Sequence, residues 1–112
     1  MDYHELHKRL WNWIADKTLE LKRQVDKEEY FEAMGIPEEE IPIHYCYACA
    51  ACNSVCYKCP IDWSPFEDCI SNGALFDAWF SCKNEDYETA AALARKIANL
   101  PWREDENNAK LV

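Results

Sequence analysis

Five of the chain's seven cysteines fall within fifteen residues, Cys46-Tyr47-Ala48-Cys49-Ala50-Ala51-Cys52-Asn53-Ser54-Val55-Cys56-Tyr57-Lys58-Cys59-Pro60. Two of the gaps make Cys-x-x-Cys knuckles, 46/49 and 56/59, with six residues between them. Thiolate is a favoured ligand of zinc, and zinc takes four ligands in a tetrahedron. One knuckle offers two sulfurs to one side of an ion, so two knuckles complete the shell. The expected ligand set is Cys46, Cys49, Cys56 and Cys59. Four protein ligands leave no open position, so such a site is structural and not catalytic. Metal affinity then becomes folding free energy, on the order of 10 kcal/mol.

Several other residues compete for this shell. Cys52 lies between the knuckles and could replace Cys49 or Cys56, Cys69 could swing in from the loop after Trp63, and His44 lies two residues before Cys46. The simpler reading of Cys52 and Cys82 is a small buried hydrophobe; that of His44 is a solvated or core-bonded imidazole. An iron–sulfur cluster is the rival cofactor, because Cys46-x2-Cys49-x2-Cys52-x3-Cys56 has the spacing of a bacterial [4Fe–4S] run. That run expects Pro after its fourth Cys, where this chain has Tyr57, and Pro60 follows Cys59 instead. His4 and His7 are three apart on a helical stretch and could share a metal, although surface histidines are the simpler reading. No Ser/His/Asp set, P-loop or Gly-rich dinucleotide turn is present, so nothing marks the chain as an enzyme.

The elements that must position these thiols read as mainly α: about four helices around an aromatic core, interrupted by an irregular cysteine-rich zinc-knuckle loop. Residues 1–24 predict a helix capped by Asp2 with Glu5 three residues on, carrying Tyr3, Leu6, Leu10, Trp13, Ile14 and Leu21 on one stripe. Trp11 lies off that stripe, which implies cover on more than one side. A second helix over 27–34 takes Asp26 as N-cap, Glu29 as the other half of a capping box, Val25 and Tyr30 as a staple and Gly35 as its left-handed end. It would bury Tyr30, Phe31 and Met34. Residues 35–45, with Pro37 and Pro42, form a strap laid over the core by Ile36, Ile41 and Ile43. Glu38-Glu39-Glu40 is a solvated face.

Residues 46–70 have too few periodic apolar positions for a long element, so a metal would supply order that packing cannot. A third helix is expected over 74–82 with Leu75, Phe76, Trp79 and Phe80 as an apolar stripe, core before it is a groove. A fourth runs from a cap at Asn84 to about Asn99, burying Tyr87, Ala90, Ala94, Ile97 and Ala98, and Pro101 stops it. The domain reading is one helical metal-binding unit over 1–103 and a polar, frayed tail over 104–112.

The chain has 112 residues and a formal net charge of -9, spread so that no segment is basic. An acidic surface repels phosphate backbones, which argues against nucleic acid as a partner. Tyr45, Tyr47, Tyr57 and Lys58 could stack or pair with bases, but the loop offers one Lys and no Arg. An acidic DNA mimic is the variant of that idea which the charge permits. No run approaches the length of a membrane span, and the N-terminus lacks the basic start and apolar stretch of a secretory signal. The expectation is therefore a cytoplasmic protein with reduced thiols. An odd cysteine count and pairs this close in sequence argue against a disulfide framework.

Leu10-Trp11-Asn12-Trp13, Cys46-x-x-Cys49, Cys56-x-x-Cys59-Pro60-x-x-Trp63, Cys69, Trp79 and Leu100-Pro101-Trp102 occur in an order that resembles a group of small, uncharacterised proteins encoded by bacteriophages and prophages. The resemblance spans most of the chain, and the cysteine motif is its specific part. It implies a metal-binding accessory factor and brings no named activity. Cys52 stands outside the group's pattern, which weighs against it as a ligand and against the iron–sulfur run. The functional expectation is a small zinc-binding accessory protein with an unidentified protein partner. It should lose its fold when zinc is chelated.

Overall fold

The computed structural model describes residues 2–52, 61 and 74–102. Among them the protein is mainly α, with five α-helices: α1 (Tyr3–Leu21), α2 (Lys27–Ala33), α3 (Tyr47–Ala51), α4 (Leu75–Phe80) and α5 (Tyr87–Ala98). Short 3-10 turns at Glu38–Glu40, Ile43–Tyr45 and Asn84–Asp86 link them.

α1 starts where Asp2 caps it: the Asp2 carboxylate accepts the Glu5 N–H at 3.1 Å. It ends at Lys22, which takes a left-handed conformation with φ 55. Its buried face is His7, Leu10, Trp11, Ile14, Ala15 and Thr18. That face is wider than the expected stripe, of which Leu10 and Ile14 are buried and Tyr3, Leu6 and Trp13 pack partly buried against the core. Trp11 is 4 % exposed and central, whereas Leu21 is 49 % exposed. The width follows from the partner: α5 lies along α1 in the most extensive helix pairing among the described residues. α5 presents Ala90, Ala91, Ala94 and Ala98 around Ile97, all buried. Small residues let the two backbones approach, and Trp11 fills the space beyond them. Arg95 of α5 ties the rim, donating to Asn12 at 2.7 Å and to Asp16.

The caps read from sequence at α2 are both present. The Asp26 carboxylate accepts the Glu29 N–H at 3.0 Å, and the Glu29 carboxylate accepts the Asp26 N–H at 2.9 Å. Arg23 holds that same Glu29 through two donors. Gly35 has φ 63, the left-handed ending that an L side chain resists. Tyr30 and Phe31 are buried as expected, but Met34 is 49 % exposed and caps the helix instead of packing under it. The strap lies over the core by Ile36 and Ile41 only; Ile43 faces solvent.

The two C-terminal helices are shorter than expected. α4 stops at Phe80, which is 72 % exposed, so the stripe Leu75, Phe76, Trp79 and Phe80 is core only through Trp79 and, in part, Leu75 and Phe76. Asn84 opens a 3-10 turn and makes no side-chain cap, so α5 proper begins at Tyr87. Beyond Pro101, Trp102 is buried and pairs with Ile61 in an isolated antiparallel bridge.

The aromatic cluster joins these pieces edge to face. Phe31 and Tyr47 are tilted at 5.8 Å, while the edge-to-face pairs are Trp11 with Trp79 at 4.8 Å, Trp11 with Phe76 at 6.1 Å and Phe31 with Tyr30 at 5.2 Å. Pairs in this geometry contribute about 0.5–1.5 kcal/mol each beyond the area they bury. The expected tail over 104–112 lies outside the described residues.

Candidate metal centre

The first knuckle is built by three preceding elements. Lys27, the first residue of α2, donates its ammonium to the His44 carbonyl at 2.9 Å and sits 5.0 Å from the centre of the Phe76 ring. His44 and Tyr45 both adopt left-handed backbone, with φ 57 and 52. Neither is Gly, and such a residue costs roughly 1–2 kcal/mol. The pair reverses the chain immediately before Cys46, and Cys46 itself is extended (φ -130, ψ 108). α3 then begins. Its Tyr47 and Ala48 are buried against the core, with Tyr47 against Phe31 and Tyr3.

Cys46 is the N-cap of α3. Its Sγ accepts the Cys49 N–H at 3.2 Å, the part a capping Asp or Ser plays elsewhere. Hydrogen bonding from the Cys49 side chain favours the charged form of Cys46 as well. That bond is the largest cause lowering the Cys46 thiol to about 6; burial opposes it, and the Cys49 N–H, the Lys27 ammonium and the Ala48 N–H add to it. Cys46 is thus shifted toward its thiolate form.

The other thiols are placed differently. Cys52 ends α3 and donates its Sγ–H to the Cys49 carbonyl at 3.7 Å. Cys82 donates to the Ala78 carbonyl at 3.4 Å, and burial pushes its thiol up, with Asp86 adding. Both are half-buried and pack against the core, in keeping with the small-hydrophobe reading. None of Cys46, Cys49, Cys52 and Cys82 is in a disulfide. Cys56, Cys59 and Cys69 lie outside the described residues, as do Tyr57 and Lys58. Among the described residues no group of three or more His, Cys, Asp or Glu gathers as a metal site. The structure therefore describes one knuckle, Cys46 and Cys49, whose chemistry fits half of a thiolate shell.

The histidines depart from the sequence reading. His7 is not on the surface: it is 2 % exposed, its Nε2–H donates to the Ile97 carbonyl at 3.0 Å, and burial lowers its pKa to about 4. His4 stacks on Trp102 with ring centres 4.6 Å apart. With His7 Nε2 taken by Ile97, the pair is a piece of the α1–α5 packing and not a chelate. His44 is exposed, and Lys27 holds it through its carbonyl. Tyr47 is 4 % exposed and is not free to stack on a base. Lys27 was not legible as a site residue from sequence. Its position one residue after a capping Asp shows only that it starts a helix, and its target is a carbonyl seventeen residues on.

No helix of the described residues is long and apolar enough to cross a membrane. No known family model, curated protein or solved structure matches the chain.

Proposed function

We propose that the protein is a small zinc-binding accessory factor, with Cys46, Cys49, Cys56 and Cys59 as a closed structural shell that fixes a surface for another protein. One observation carries the reading. Cys46 Sγ takes the Cys49 N–H at 3.2 Å, so the first knuckle is already wound. The sequence repeats that knuckle ten residues on, at 56 and 59. The resemblance to phage-encoded cysteine-rich proteins points the same way. Bound zinc would supply charge neutralisation and a crosslink; Cys46 and Cys49 would supply two of its four ligands.

The formal charge of -9 favours a protein partner over a phosphate backbone. Elemental analysis of the purified, reduced protein tests the metal. One zinc per chain in a colourless sample is expected. Iron with inorganic sulfide would replace zinc by the cluster, and a metal-free chain that is fully folded would end the reading. Cys56→Ser and Cys59→Ser should each reduce zinc content as strongly as Cys46→Ser; Cys82→Ser should not.

A further inference from the structure

We propose that Cys46 and Cys49 are also a reversible dithiol, which a hydroperoxide oxidises to a disulfide within the knuckle. The argument is geometric. The two residues are the N-cap and third position of α3, where helical geometry sets their Cα atoms roughly 5 Å apart. That separation lies inside the range a disulfide spans, about 4.4–6.8 Å. Both side chains are half-buried, so a small oxidant can reach them. The two side chains are already brought together: Cys49 gives its N–H to Cys46 Sγ at 3.2 Å. Cys46 has extended backbone and joins α3 through its carbonyl, which accepts the Ala50 N–H at 3.1 Å, so its side chain can turn onto Cys49 without breaking a turn of α3.

Cys49 and Cys52 have the same spacing but not the same arrangement. The Cys52 Sγ–H is directed at the Cys49 carbonyl, not at its sulfur. Cys82 is likewise directed at a carbonyl, that of Ala78. The structure thus singles out one pair among the four described thiols.

The chemistry balances with hydrogen peroxide, the simplest hydroperoxide, as the oxidant. The Cys46 thiolate attacks one peroxide oxygen, the O–O bond breaks, and hydroxide leaves. Cys46 is then a sulfenic acid. The Cys49 sulfur attacks the Cys46 sulfur, the S–S bond forms, and the sulfenic oxygen departs as water with the Cys49 proton. Two thiols lose two electrons and one peroxide becomes two waters. Attack by an external thiol reverses the bridge. If the proposed zinc shell holds, and only then, the bridge removes two of its ligands and releases the ion.

The test uses the full chain with hydrogen peroxide, once as purified and once after stripping with a chelator. Free thiols are then alkylated and the peptides mapped by mass. The expected product is a Cys46–Cys49 bridge, two hydrogens lighter, formed with one peroxide consumed and reversed by dithiothreitol. In a zinc-loaded sample, zinc release read with a chromophoric chelator should track the bridge. A bridge mapping to Cys49–Cys52 or to any other pair overturns the proposal, and so does Cys46 recovered as sulfinic acid without a bridge. Metal content decides the zinc reading separately: a bridge in a chain purified without metal supports the dithiol and removes the zinc shell. Cys49→Ser should leave Cys46 as a persistent sulfenic acid, trapped by dimedone. If that variant does not fold, the wild-type map still decides.

Discussion

α1 and α3 stand side by side in the fold and are held in different ways. α1 has nineteen residues and six buried positions, a face long enough to be fixed by apolar packing against α5. α3 has five residues and buries two, Tyr47 and Ala48. A helix that short has no stability of its own, because nucleation costs more than its few hydrogen bonds return. Its order comes from its ends and neighbours: a thiol cap at Cys46, two left-handed residues before it, a lysine from α2, and the Tyr47 ring against Phe31. The difference separates a helical frame from a thiol segment docked onto it. The sequence led us to expect that chelation would unfold the chain. The packing of α1 on α5 adds an order to that loss: the cysteine segment should go first and the frame last.

The widest separation between the two regions should come from truncating the frame. Leu10 is fully buried, so Leu10→Ala should cost roughly 2–5 kcal/mol in urea unfolding, by lost transfer energy and the cavity left behind. Ile43, 52 % exposed beside the cysteine segment, should tolerate the same change within about 0.5 kcal/mol. Equal costs would mean that the frame does not carry the stability, and the comparison would fail.

His7 sharpens the contrast through pH, because it titrates inside the frame. Its folded pKa is lowered to about 4 from the ordinary 6.5, chiefly by burial, with the Ile97 hydrogen bond opposing and His4, Lys27 and Lys8 adding. The unfolded chain therefore takes up the proton first as pH falls. Stability is fully present above about 6.5 and declines through the window down to about 4. The loss is on the order of 3 kcal/mol, since each pKa unit is about 1.4 kcal/mol. His7→Gln keeps a donor for the Ile97 carbonyl and should flatten urea midpoints between those two values. A profile that keeps its slope in the variant would assign the acid sensitivity elsewhere.

Burial of His7 also shows how far the sequence could be read. Caps were legible because they are local: Asp2, Asp26 with Glu29, and Gly35 each act within a few residues and each is found in its expected role. The α1 stripe holds for Tyr3, Leu6, Leu10, Trp13 and Ile14, which lie in or against the core, but the face is wider than apolar residues alone mark. His7, Trp11 and Thr18 recur at helical spacing with Leu10 and Ile14, so periodicity did contain the face. What hid it was that His7 and Thr18 satisfy their polar atoms on Ile97 and Val25, partners no local pattern names. Phe80 and Met34 failed the other way, as apolar residues past the point where their helices still face the core. In the site, Cys-x-x-Cys spacing was enough to place Cys46 beside Cys49. The clamp from Lys27 to His44 was not legible, because it depends on where the strap returns.

The smallest expected effect probes that clamp. Asp26 caps α2 one residue before Lys27, and replacing such a cap by Ala costs about 1 kcal/mol, within roughly 0.5–2. The loss falls on the first turn of α2, the turn that carries the lysine bound to His44. If α2 positions the cysteine segment, Asp26→Ala should speed alkylation of Cys46 and Cys49 by up to about fivefold, the factor that 1 kcal/mol of local opening allows. Amide exchange in the middle of α1 and α5 should change by less than that. Asp26→Asn retains an acceptor for the Glu29 N–H and should leave the thiol rates near those of the parent. Were α2 irrelevant to the knuckle, both variants would alkylate alike, and the segment would owe its order to Tyr47 and the Cys46 cap alone.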